Sequence, residues 1–219
     1  MSFVQEEDIF SIMEGLLKKI FKDMIGYNLK MPLDIMTYDE AMARFGTDRP
    51  DRRFGMELVD LSNDLKGCGF NVFKQAISSG GIVKGLNLKR PKRLPRSRID
   101  LLTDFCKSQG LEGPSYFKVE RGGLSSPIAK FLSKVEKDIL VKKLNAESGD
   151  LLLILAGEYK LTNEVLTRLR AKLASEEGLI KDDIYDFLWV KEFPFLHITK
   201  RRKGGSQSII HLQLPLSKI

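Results

Sequence analysis

The chain has 219 residues, 42% hydrophobic and 30% charged, with eight prolines. That composition fits one full globular domain plus smaller pieces and excludes fibrous and disordered classes. A net charge of +7 admits a nucleic-acid partner, but five of the excess cations, Lys200, Arg201, Arg202, Lys203 and Lys218, lie in residues 197–219, which hold no acid. No run of ~18 apolar residues offers a membrane span, and Glu6, Glu7 and Asp8 oppose a secretory leader. Cys68 and Cys106 stand far from each other and from any histidine. They read as buried, reduced thiols of a cytoplasmic protein.

Residues 5–24 place Ile9, Phe10, Met13, Leu16, Leu17, Ile20, Phe21 and Met24 at helical spacing. Acids in the first turn, lysines in the last turns and Gly26 beyond them suit the helix dipole and a stop. A shorter helix is predicted over 38–45, with Thr37 and Glu40 as a capping box and Gly46 as its end. The charged segment TDRPDRRFG (47–55) reads as a linker. Strands are predicted over 56–62, 70–76 and 81–88. A helix over 97–109 follows, with Ser97 as its cap, Leu101, Leu102 and Phe105 on one face, and Gly110 after it. Residues 116–120 alternate as a half-buried strand ahead of Gly122 and Gly123.

Ser126 and Pro127 predict the start of a long helix to about Asn145, with Ile128, Leu132, Val135, Ile139 and Leu144 inward. The continuous apolar run LLLILAG (151–157) predicts a buried central strand. Thr162 or Asn163 is the expected cap of a last helix to about Ala174, striped by Val165, Leu166, Leu169 and Leu173. The fold class expected is α+β, a two-layer domain with helices on one face of a mixed or antiparallel sheet.

No catalytic or metal-binding constellation is visible. Both histidines, His197 and His211, fall in the basic tail. The pairs Gly80–Gly81 and Gly122–Gly123 lack the spacing of a phosphate loop and read as turn glycines. Glu176–Glu177 and Asp182–Asp183 read as solvated loops rather than paired catalytic carboxylates. The feature with chemical promise is a cluster of Lys84, Lys89, Arg90, Lys92, Arg93, Arg96 and Arg98, with no acid from Ile82 to Ile99. It is a candidate nucleic-acid contact, with a merely solvated loop as the competing reading.

Several strings occur in the order found in one enzyme family: MTYDEAMARFGTDRPDRRFGMELVDLS (36–62), FNVFKQAISSGGIVKGLNL (70–88), SPIAKFLSKVEKDILVKKL (126–144), GDLLLILAG (149–157) and YDFLWVKEFPFL (185–196). On these the chain resembles the bacterial-type aspartyl-tRNA synthetases of class II. The resemblance implies a GAD insertion domain at 55–180, a catalytic-core remnant following motif 2 at 1–54, a returning strand of the core's antiparallel sheet at 181–196 and a basic tail at 197–219. It implies ATP, Mg²⁺ and tRNA(Asp) as cofactors and partner of the intact family, in the cytoplasm. The family's motifs 1, 2 and 3 and its HHPFT segment have no counterpart here. The chain is therefore expected to have no catalytic, cofactor-binding or metal residues and no activity alone.

Two partner expectations follow from the resemblance: self-association through Phe10, Leu17 and Phe21, or complementation by the missing synthetase parts. The alternative is a free-standing, non-catalytic GAD module that binds tRNA or protein through the 84–98 cluster. Codons can also be chosen so that HITKRRKGGSQSIIHLQLPLSKI, read two bases on, gives YNEEEKRWVAVHHPFTITSLKD. This predicts a frameshift near codon 197, which the gene sequence tests directly.

Overall fold

The computed structural model describes residues 4–194, 196–198 and 210–212. The cations Lys200 to Lys203 and Lys218, and most of the segment read as frameshifted, lie outside the described residues. In chain order the elements are α1 (Glu6–Ile25), β1 (Asp34–Thr37), α2 (Tyr38–Phe45), β2 (Val59–Asp60), α3 (Asn71–Ser78), β3 (Ile82–Leu88), α4 (Arg96–Ser108), β4 (Ser115–Glu120) and β5 (Gly123–Ser125). Then come α5 (Lys134–Lys143), β6 (Leu151–Gly157), α6 (Tyr159–Glu177), β7 (Leu188–Lys191), β8 (Leu196–Ile198) and β9 (Ile210–Leu212). The chain divides into two compact units, one reaching to Glu40 and resuming at Tyr185, the other Ala41–Ile184.

In the first unit α1 follows its sequence closely. Gln5 N donates to the Asp8 carboxylate at 2.9 Å and Gly26 closes the last turn. Phe10 stacks on Trp189 with ring centroids 4.5 Å apart, and Phe21 meets Tyr185 and Phe187 edge-on. The Glu14 carboxylate accepts from Leu33 N and Trp189 Nε1. Phe10, Leu17 and Phe21 are each partly exposed, and Ile9, Ile12, Met13, Leu16, Ile20, Met24 and Ile25 of the same helix are more exposed still. Strand β1, which the sequence did not betray, pairs with β7 in parallel from Asp34↔Leu188 to Thr37↔Lys191. β7 lies within 181–196, the residues read as a returning strand, and its partner among the described residues is β1. β8 and β9 pair antiparallel.

The second unit is built on a fully antiparallel sheet in the order β2-β3-β6-β4-β5. Its middle strand explains the layering. Side chains alternate across a strand, so Leu151, Leu153 and Leu155 of β6 enter one core with Ile99, Leu102 and Cys106 of α4 and Val165, Leu166, Leu169 and Leu173 of α6. Leu152 and Ile154 enter a second core with Phe73 of α3, Leu140 of α5, and Leu61, Leu65 and Cys68. Helices cover both faces, so the two-layer expectation is corrected to three layers. An apolar run without polar alternation requires this, since a one-sided sheet would leave every second leucine in water. Both cysteines are free and buried, and burial pushes the Cys106 thiol up to about 11.

Other differences have local causes. FNVFKQA folds as a helix, not a strand, because Val72, Phe73, Ala76 and Ile77 sit on one helical face and Phe73 is fully buried. The helix expected from Ser126 begins instead at Lys134. Ser126 Oγ accepts from Ile128 N to start a 3₁₀ turn over Ala129–Phe131, and a true capping box follows: Ser133 Oγ accepts from Glu136 N, while Ser133 N donates to the Glu136 carboxylate. Val135 is exposed rather than inward. Ser97 lies inside α4 behind Pro95, and Ile99, Leu102 and Cys106 form its buried face while Leu101 points to solvent. Thr162 and Asn163 are buried within α6 rather than capping it. Only Val59–Asp60 of the 56–62 segment is strand.

Candidate nucleic-acid interface

Strand β3 delivers the basic cluster into the loop 89–95, which leads into α4. The seven cations part company there. Lys84, in the middle of the strand, is 2% exposed; its Nζ donates to Met42 O at 3.0 Å, Ala43 O at 3.1 Å and Asn163 Oδ1 at 2.9 Å. All three ammonium donors are used on the last turn of α2 and on α6, so Lys84 cannot meet a phosphate. Burial pushes its pKa down, partly offset by the charge of Asp60.

Four carboxylates from distant parts of the chain gather around the cluster. Asp150 is the deepest, with a side chain 0% exposed. It accepts from Glu147 N and Asn87 Nδ2 at 2.9 Å each, from Arg90 N at 3.1 Å, and pairs with Lys89 Nζ at 3.3 Å. Burial pushes its carboxyl up, but these donors outweigh that and hold it below the usual carboxylate range. Arg90 Nη2 donates to Glu147 at 2.7 Å. Arg98 spans Glu177 at 2.7 Å and Glu176 at 3.2 Å, and also donates to Arg93 O. Glu176 and Glu177 therefore belong to the last turn of α6 and to ion pairs, not to a solvated loop. What remains outward is the side chains of Lys92, Arg93 and Arg96, which are exposed; Lys92 N donates to the Glu177 carboxylate at 3.3 Å, but none of the three side chains pairs with an acid among the described residues.

A second constellation escaped the sequence reading. Arg170, 1% exposed, comes from the buried face of α6. Its Nε donates to Met56 O at 2.7 Å and its Nη2 to Asp51 O at 2.9 Å and Gly55 O at 2.6 Å. The guanidinium carbon lies over the rings of Phe45 and Phe54, 5.0 and 4.7 Å from their centroids. Burial pushes Arg170 down to about 10, still cationic at neutral pH. The segment 47–55 is thus tied to the sheet unit and is no free linker. The signal was available: Arg170 falls four residues after Leu166 and three before Leu173, inside the apolar stripe.

Among the described residues no group of three or more His, Cys, Asp or Glu side chains is placed to hold a metal ion. No helix among them is long and apolar enough to cross a membrane.

Residues 73–166, from α3 into α6, match the GAD domain family. This stretch contains β3 to β6 and parts of both cores, so the match falls on the antiparallel sheet and its helices, an architecture consistent with a GAD domain. Over most of its length the chain is also similar to bacterial aspartate–tRNA ligases. It is 44% identical over 203 residues to the aspartate–tRNA(Asp/Asn) ligase of Geotalea uraniireducens, covering 93% of this chain and 34% of that protein. The corresponding ligase of Syntrophotalea carbinolica is 46% identical over 197 residues, covering 90% and 33%. The aspartate–tRNA ligase of Agathobacter rectalis is 45% identical over 197 residues, with the same coverage. The resemblance read from residues 36–62, 70–88, 126–144, 149–157 and 185–196 is therefore borne out. The chain spans about a third of the length of the curated relatives it matches.

Proposed function

We propose that this chain is one stretch of an aspartate–tRNA ligase, contributing its GAD domain, and that it does not aminoacylate tRNA by itself. The observation that carries this reading is the contrast in coverage: nine-tenths of the chain aligns, but with only a third of each relative. In the intact ligase ATP and Mg²⁺ would supply adenylate formation in the cytoplasm. No step through those groups is assigned to this chain. Incubated with aspartate, ATP and labelled pyrophosphate, the purified chain is expected to show exchange at the enzyme-free background. Aspartate-dependent exchange above that level would sink the reading.

Contact with tRNA is a second function that the surface supports, and it falls to Lys92, Arg93 and Arg96. Three phosphate contacts predict a slope of log affinity against log salt of about −2 to −3. Replacing the three by alanine should flatten that slope, whereas Lys84→Met, at a residue already occupied by carbonyls, should leave it unchanged. A steep slope surviving the triple substitution would move the contact elsewhere.

A further inference from the structure

The segment from Arg44 to Leu58 carries the most distinctive string of the chain, yet it contributes little regular structure. Its shape comes from the GAD unit. Thr167 Oγ1 donates to Phe45 O at 2.9 Å, Lys84 Nζ takes the carbonyls of Met42 and Ala43, and a Cβ on Gly46 would lie 2.8 Å from Asn163 O. Gly55 and Met56 are consecutive left-handed residues, with φ of 64° and 51°, and the second is not glycine. Both of their carbonyls accept from Arg170. Left-handed backbone at a methionine persists where its surroundings over-determine it, and a planar fork of five donors on a buried stem is suited to that.

We propose that Arg170 is a positioning residue, through which helix α6 of the GAD domain holds the 51–56 turn in one left-handed conformation. A role of the GAD domain is then to fix this loop. Aspartate activation does not enter, so the inference stands or falls independently of the ligase reading. Its shape matters as much as its charge: the fork reaches Asp51, Gly55 and Met56 together, with the rings of Phe45 and Phe54 packed against it. A lysine would bring one point charge and could not span the three carbonyls.

Trypsin tests this on the full chain, because Arg52 and Arg53 lie within the turn and the bonds after them should be cut faster when the turn opens. Cuts at these two sites, identified by mass spectrometry, should accelerate about tenfold or more in Arg170→Met and in Arg170→Lys under native conditions. Leu140→Ala, which weakens the opposite core, serves as the control for general destabilisation and should leave them within about twofold of wild type. Should Arg170→Met fail to fold, Phe54→Ala removes one of the two rings and should open the same two sites. Wild-type resistance in a folded Arg170→Met, full protection by Arg170→Lys, or equal acceleration by Leu140→Ala would each overturn the assignment.

Discussion

Gly81→Ala should destabilise the second unit by about 3–5 kcal/mol, at the severe end for a single added methyl group. The residue sits where the start of β3 meets the end of β6 and the turn after α3. A Cβ there would stand 2.3 Å from Gly157 O and 2.9 Å from Ala76 O, both backbone atoms. Neither can yield cheaply: Gly157 is paired with Ile82 in the sheet register, and Gly81 N donates to Ala76 O at 2.8 Å. Its neighbour provides the contrast. Gly80 has φ of 78° but open space around its Cβ position, so Gly80→Ala should cost only about 1–2 kcal/mol of left-handed backbone strain. Urea unfolding followed by far-UV circular dichroism distinguishes the two, and equal losses would show that steric closeness is not what Gly81 answers to.

Asp150→Ala should cost about 3–4 kcal/mol at neutral pH, because it leaves Glu147 N and Arg90 N without their acceptor, removes one of three acceptors around Asn87 Nδ2, and takes away the partner of Lys89. The loss is pH-dependent with a definite sign. The folded carboxyl is held below its ordinary value of 3.8. Its stabilising contribution is therefore complete above the unfolded pKa and disappears as the pH falls through the lower, folded one. The stability curves of the wild type and of Asp150→Ala should run parallel from pH 7 to about 5 and then converge. A gap that stays constant down to pH 3 would mean that the charge on Asp150 contributes nothing and only its shape matters.

The long, strongly patterned elements were legible in the sequence. α1, β3 and β6 stand where periodicity places them, and Val165, Leu166, Leu169 and Leu173 of α6 are all fully buried. Errors arose where two local rules competed. Ser126–Pro127 and Ser133–Glu136 both look like helix starts, and only the second has the reciprocal acid that satisfies two backbone donors at once. LLLILAG already implied burial on both faces, and the one-sided sheet was inconsistent with it.

The candidate site was the least legible part, because charge balance is a property of the folded surface. The acids that meet Arg90 and Arg98 lie 57 and 78 residues away in sequence, beyond any window over which a cluster is judged basic. Lys84 reads as a surface cation in the sequence although it sits in a buried strand beside Val83 and Leu86, a position from which a long side chain turns inward to find carbonyls. β1 was invisible for a different reason. Four residues with adjacent Ile35 and Met36 do not alternate, and pairing with β7 lies more than 150 residues further along the chain.

The burial of Cys68 and Cys106 in opposite cores gives the molecule a pair of internal reporters. A thiol-directed reagent should reach Cys106 when the layer of α4 and α6 opens, and Cys68 when its segment parts from the core it shares with α3 and α5. The ratio of the two labelling rates therefore reads, with no engineered label, which side of the sandwich comes away first.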